Sequence, residues 1–194
     1  MITELIFASA NTGKIKEIHQ ILGNNFIIKG LKDVGITEEI PETGNTFYEN
    51  ALMKANYVFQ KTGKNTFADD SGLCIDALNG EPGVHSAYYA GLPKNDERNI
   101  QKVLSQLKNI ENRHAKFLCV ICLILNGKIH YFEGELKGNI ALHPSGINGF
   151  GYDPIFIPEG YNNTLAELTS DIKNSISHRY KALEKMKLFL SAKN

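Results

Sequence analysis

Short apolar runs alternate along this chain with stretches whose apolar residues recur every three or four positions, a pattern that predicts an α/β fold. Leu5 to Ala8 has the continuous apolar character of a short strand. Ile15, Ile18, Ile21 and Leu22 then fall at helical spacing, so a helix is expected from about Gly13. Beyond a loop through Pro41 and Gly44, Thr46 and Glu49 have the spacing of a capping box. They predict a second helix that carries Phe47, Ala51, Ala55, Val58 and Phe59 and stops at Gly63. Strands are expected at Thr66 to Ala68 and Cys74 to Leu78, and a helix from about Asp96 to Leu107. The sharpest local signal is Asn126-Gly127 between the strand-like runs Ala115 to Leu125 and Lys128 to Glu135, which predicts a hairpin. A turn-rich loop from His143 to Gly149, a short strand near Asp153 to Ile157 and two helices complete the pattern. The last helix starts near Ser177 and is expected to bury Leu183, Met186 and Leu190. No repeat, low-complexity tract or linker interrupts this order, so a single domain over residues 1–194 is expected.

Composition narrows the function classes. With 42% apolar and 22% charged residues in 194, the chain can bury an ordinary core. Its 21 basic residues balance 21 acidic ones, which argues against a dedicated nucleic-acid binder while leaving room for a local anion pocket. Met1 to Phe7 lacks the form of a signal peptide and no apolar run approaches bilayer length, so a cytoplasmic protein without membrane attachment is expected. Cys119 and Cys122 have redox-motif spacing, but they sit inside a strand-like run, where residues three apart face opposite sides. They are read as buried structural thiols.

Several segments can carry chemistry, and each has two local readings. Asp69, Asp70 and Ser71 stand at the end of what reads as a short buried strand, where unpaired polar groups are costly. A divalent metal with phosphate ligands would satisfy them, and so would a turn in which Asp and Ser bond their own backbone. The run Ser9-Ala10-Asn11-Thr12-Gly13-Lys14 lies at a strand-to-helix junction, either an anion site or an ordinary polar cap with a solvated lysine. It is not a Walker A loop, because Ala8 and Ile15 stand where that motif needs Gly and Ser or Thr. Glu42 is a second metal ligand beside Asp70 or a loop glutamate in water, and Lys54 is expected on a helix surface, holding a phosphate or solvated. Gly149-Phe150-Gly151-Tyr152-Asp153-Pro154 either lets a flat ligand approach backbone and ring closely or forms a tight turn with core aromatics. Ser177-His178-Arg179, with Lys173 upstream, offers donors suited to a carbonyl on a purine edge or simply caps the final helix.

In this order the segments resemble the inosine triphosphate pyrophosphatase family, the Ham1-like non-canonical purine nucleoside triphosphate pyrophosphatases. The likeness runs from about Phe7 to Leu183. Its most specific blocks are Ala68 to Leu73 with Asp76-Ala77-Leu78, Gly149 to Phe156, and Ser177-His178-Arg179. Ser9-x-Asn11-x-x-Lys14-x-x-Glu17 and Glu42-Thr43-Gly44-x-Thr46-Phe47-x-Glu49-Asn50-Ala51 support them. The resemblance implies magnesium-dependent hydrolysis of a purine nucleoside triphosphate, such as that of inosine, deoxyinosine or xanthosine, to the monophosphate and pyrophosphate. It implies that Ser9, Asn11, Thr12, Gly13, Lys14 and Lys54 hold phosphates, and that Glu42 and Asp70 bind the metal, with Asp70 also the proton acceptor. Ser71 and Lys173 would contact the substrate. Phe150, Gly151, Tyr152 and Asp153, with His178 and Arg179, would hold the base. The implied fold is an elongated mixed β-sheet flanked by helices, in two lobes with a central cleft, and the implied assembly is a homodimer. Two positions depart from the family pattern: Tyr88 and Ser145 stand where arginines are usual.

Overall fold

In the computed structural model the periodicities resolve into six strands and five helices among the described residues, which are 3–22 and 26–192, without the side chains of Thr3, Thr12, Lys16 and Glu17. The order is β1 (Thr3–Phe7), α1 (Thr12–Leu22), β2 (Phe26–Lys29), α2 (Phe47–Thr62), β3 (Thr66–Ile75) and α3 (Asp96–Gln106). It continues with β4 (His114–Leu125), β5 (Lys128–Ile140), β6 (Phe156–Pro158), α4 (Ser170–Ile176) and α5 (His178–Ser191). The sheet order is β2-β1-β3-β4-β5-β6. β1 pairs in parallel with β2 and β3, and β5 pairs antiparallel with β6, so the sheet is mixed and the fold is α/β.

Local signals held where they rest on the backbone. The Thr46 hydroxyl accepts from the Glu49 N–H, and the Glu49 carboxylate accepts from the Thr46 N–H, each at 3.1 Å, closing the capping box of α2. The helix ends at Gly63 in the left-handed conformation. Asn126 and Gly127, at φ of 50° and 76°, make the turn between β4 and β5.

Longer-range pairing overrides the sequence reading elsewhere. Thr66 to Ile75 is one unbroken strand, so Asp69 and Asp70 lie inside β3 rather than at a strand end, and Asp76–Leu78 is a 3-10 turn. A strand tolerates buried carboxylates when other elements supply their partners, as described below. β5 runs on to Ile140, past the expected end at Glu135. The expected strand from Asp153 begins as a 3-10 turn, since Pro154 has no N–H for a ladder, and only Phe156–Pro158 pairs.

The chain packs as two compact units. The first comprises Met1–Asp70, Cys119–Gly134 and Arg179–Asn194, and the second Ser71–Leu118 and Glu135–His178. The first has its core in Leu5, Phe7, Ile18, Phe67, Ile121 and Leu183, with the Phe7 and Phe67 rings stacked at 4.9 Å. Cys119 lies within this core, and burial pushes the Cys122 thiol up to about 12, which suits the structural reading of both. The second unit packs Leu73, Ile75, Val103, Leu107, Ile155 and Phe156. Among the described residues no helix is long and apolar enough to cross a membrane.

Candidate active site

In the first unit, β3 presents its two carboxylates to different partners. Asp69 is 2% exposed and both its oxygens meet the Lys14 ammonium, at 3.0 and 2.9 Å, while Oδ2 also accepts from Arg179 Nε at 3.2 Å. Burial alone would raise this carboxyl, but the charges of Lys14, Arg179 and Lys54 outweigh it and hold Asp69 well below the usual carboxylate range. Lys14 reaches it from the first turn of α1. There Asn11 Oδ1 caps the helix by accepting from the Lys14 N–H at 3.1 Å, and Ser9 Oγ accepts from the Asn11 N–H at 3.2 Å. The cap uses these oxygens as acceptors and leaves the Asn11 amide hydrogens and the Ser9 hydroxyl hydrogen to donate to an anion. Gly13 is exposed beside them. Thr12 opens α1, and its side chain lies outside the described residues.

Asp70 sits in a second arrangement. Its Oδ2 accepts from Asn50 Nδ2 at 3.0 Å. Burial pushes the Asp70 carboxyl above its ordinary value and the Glu42 charge adds to this, against the pull of Lys54, Asn50 and Lys14. Lys54 is not on the surface of α2. It is buried, with Nζ 2.9 Å from Glu42 Oε2, because it falls on the inward stripe with Phe47, Ala51, Ala55 and Val58. The aliphatic stem packs with the apolar face while the ammonium meets Glu42, whose carboxylate is nearly half exposed.

In the second unit, Gly149 to Asp153 forms a compact loop ahead of β6. Asp153 is buried, and its Oδ2 accepts from the Phe150 N–H at 2.8 Å and from Lys173 Nζ at 2.5 Å. Lys173 also lies over the Phe150 ring, 4.4 Å from its centre, and that ring is 59% exposed. The Gly151 N–H donates to Asp96 Oδ2 at 2.9 Å, and the Tyr152 hydroxyl donates to the Ser86 carbonyl at 2.8 Å. Burial holds that phenol well above its ordinary range, so it stays a neutral donor. His178 stacks on Phe117, with ring centres 5.0 Å apart and planes 13° apart. Gly149 has φ of +80°, and a Cβ there would fall 2.1 Å from Asp153 Oδ2. Gly149→Ala is therefore expected to displace Asp153 and, on the substrate class that the resemblance implies, raise KM for nucleotide about tenfold, which steady-state kinetics would measure. An unchanged KM would show that this loop does not meet the substrate.

The chain as a whole is similar to known proteins. The Ham1 family model matches residues 5–189. The chain belongs to the Ham1 family. A dITP/XTP pyrophosphatase of Flavobacterium psychrophilum is 52% identical, with 92% of this chain and 94% of that protein aligned. A dITP/XTP pyrophosphatase of Bacillus subtilis is 51% identical, over 97% and 98%. The solved structure of a HAM1 protein from Coxiella burnetii superposes with a TM-score of 0.93 at 41% identity, over 98% of this chain and all of that one.

Against this Ham1 framework, Lys14, Glu42, Lys54, Asp70 and Arg179 gather in the first unit, with Ser9, Asn11 and Gly13 at the start of α1. Phe150, Gly151, Tyr152, Asp153 and Lys173 gather in the second. Ser71, half-buried in β3, and His178, stacked on Phe117, belong to the second unit. Arg179 is 3% exposed against Asp69, so it anchors a carboxylate as well as being a candidate for the base. The sequence reading gave no role to Asn50 or Asp96, and it grouped Asp69 with Asp70 and Ser71 for metal and phosphate or for a turn, whereas the Asp69 carboxylate is held by Lys14 and Arg179. A signal existed for Asn50, since a polar amide on the helical stripe that carries Phe47, Ala51, Ala55 and Val58 needs a buried partner. Of the two departures, Tyr88 is exposed at the end of a 3-10 turn. The Ser145 backbone is held by Pro154 and Thr164.

Proposed function

We propose that this protein hydrolyses non-canonical purine nucleoside triphosphates, those of inosine, deoxyinosine and xanthosine, to the monophosphate and pyrophosphate with magnesium. The observation that carries this is a buried Asp70, its carboxyl raised and held by Asn50, in a chain half identical to dITP/XTP pyrophosphatases.

Magnesium suits the donor set. Among the described residues no three His, Cys, Asp or Glu converge as a closed metal site. Glu42 and Asp70 lie close enough for the charge of one to raise the other, and a carboxylate pair plus substrate phosphates is a usual magnesium shell. Bound there, the ion would neutralise triphosphate charge and acidify a water. The chain's own residues do the rest. Lys14 is anchored on Asp69 by part of its donor capacity and turns the remainder to a phosphate, beside the N–H groups that open α1 and the donors of Ser9, Asn11, Thr12 and Gly13. Lys54 exchanges Glu42 for a phosphate oxygen and stabilises charge on the leaving pyrophosphate. Asp70 orients a water toward the α-phosphorus and takes its proton, and a carboxyl raised by burial is a better acceptor than one in water.

Phe150 offers an exposed ring for the base, held by Asp153 and Lys173, while Ser71 and Lys173 contact the substrate. Donors from His178 and Arg179 welcome a 6-oxo group and are left unpaired against the 6-amino group of adenine. We further propose a homodimer, as the family resemblance implies, and a cytoplasmic protein without nucleic-acid or membrane partners, a reading supported by the neutral charge balance and the lack of a bilayer-length apolar run.

The test is product analysis with inosine, xanthosine, guanosine and adenosine triphosphates, with and without magnesium. Metal-dependent pyrophosphate, strong for the first two and weak for the others, is expected. Release of orthophosphate would move attack to the terminal phosphorus and overturn the mechanism.

A further inference from the structure

We infer that Asn50 is a positioning residue that locks the two proposed metal-binding carboxylates into one geometry. Its side-chain amide bridges the two segments that carry them. Nδ2 donates to Asp70 Oδ2 at 3.0 Å, and Oδ1 accepts from the Gly44 N–H at 2.8 Å. Because one end of the amide must donate and the other accept, the bridge forms in a single orientation. Asn50 is 3% exposed and its bond to Asp70 is buried, so solvent does not compete for that bond.

Both sides of the bridge are built to fit it. On the strand side, the bond commits Oδ2 of Asp70 to the amide and so fixes the plane of its carboxylate. On the loop side, Gly44 stands two residues from Glu42, and a Cβ there would fall 2.8 Å from Asn50 Oδ1 and 2.6 Å from Glu49 Cβ. Only a glycine lets the backbone come this close to the amide. The capping box next to it, Thr46 with Glu49, fixes the start of α2 and hence the height of Asn50 in the helix. The loop bearing Glu42 is therefore registered against Asp70 through one side chain. Groups that orient metal ligands in this way typically contribute about 10–100-fold to metal affinity or activity.

This inference rests on the proposed roles of Glu42 and Asp70, and the experiment keeps the two apart. Asn50→Ala removes both bonds, Asn50→Asp keeps the acceptor for Gly44 but not the donor for Asp70, and Gly44→Ala attacks the bridge from the loop side. Each is assayed with inosine triphosphate, and Mn2+ affinity is measured by electron spin resonance with a non-hydrolysable inosine triphosphate analogue. A kcat lower by about 10–100-fold, KM within about threefold and Mn2+ binding about tenfold weaker are expected for all three variants. Adding Asn50→Ala to Asp70→Asn should weaken Mn2+ binding less than it does in the wild-type background, because only the Glu42 side of the bridge is then left to lose. Unchanged kcat and Mn2+ affinity in folded Asn50→Ala, or an equal Mn2+ loss in both backgrounds, would overturn the inference. Full turnover by Asp70→Asn alone would overturn the reading of Asp70 itself, and this inference with it.

Discussion

Asp70→Asn is expected to lower turnover of inosine triphosphate by about a thousandfold or more while the nucleotide still binds. A positioned general base contributes about 10²–10⁴-fold, and this substitution also removes a carboxylate from the proposed metal site. The fold should survive. An asparagine at position 70 can turn its carbonyl to Asn50 Nδ2 and keep the 3.0 Å bond, and it brings no charge into the strand. Stability should hold or rise at neutral pH. The native state raises the Asp70 carboxyl, so whatever stability the group contributes is present below its ordinary titration range and lost as pH rises through the raised value. Above that raised value the ionised carboxylate weighs against the fold, and the amide does not. A loss of activity together with an equal or higher melting temperature would mark a site that spends stability on chemistry. The measurement is kcat and melting temperature on the same preparation. Near-normal kcat would remove Asp70 from the mechanism, and a large drop in melting temperature would make it a structural residue.

Asp69→Ala should behave in the opposite way, with stability as the main loss. It removes the carboxylate that meets the Lys14 ammonium and, more seriously, a guanidinium whose side chain is 4% exposed. Breaking a buried ion pair from one side typically costs about 3–5 kcal/mol. For a chain of this size that lowers the melting temperature by roughly 6–20 °C. The sign of the pH dependence is fixed by the lowered carboxyl. Its contribution is present above the ordinary aspartate range and is lost only as pH falls through the depressed native value. Wild-type and variant should therefore differ most near neutrality and converge only in strong acid. Urea unfolding at two pH values would measure this, and a loss below about 1 kcal/mol at pH 7 would place the cluster among weak surface pairs instead. Activity should also fall, because Lys14 would lose the anchor that aims it.

The contrast between these neighbours shows where reading the sequence stops. Adjacent aspartates in a buried strand announce that partners must exist, but nothing within several residues of them says which. Asp69 finds Lys14 and Arg179 at sequence separations of 55 and 110 residues, and Asp70 finds Asn50 at 20. Opposite faces of one strand thus acquire opposite electrostatics, one carboxyl driven down and the other up.

What the sequence determined by itself is whatever rests on local backbone chemistry. The capping box of α2, its stop at Gly63 and the Asn126-Gly127 turn are each settled by residues within a few positions of one another. The motif order also suffices to place the chain among the Ham1 proteins, because such blocks survive in sequence. Strand limits were not legible, since β3 and β5 extend as far as their neighbours offer backbone partners. Nor was the burial of Lys54, or the difference in role between Asp69 and Asp70. Those depend on which charges the fold brings within a few ångströms, and only the tertiary structure decides that.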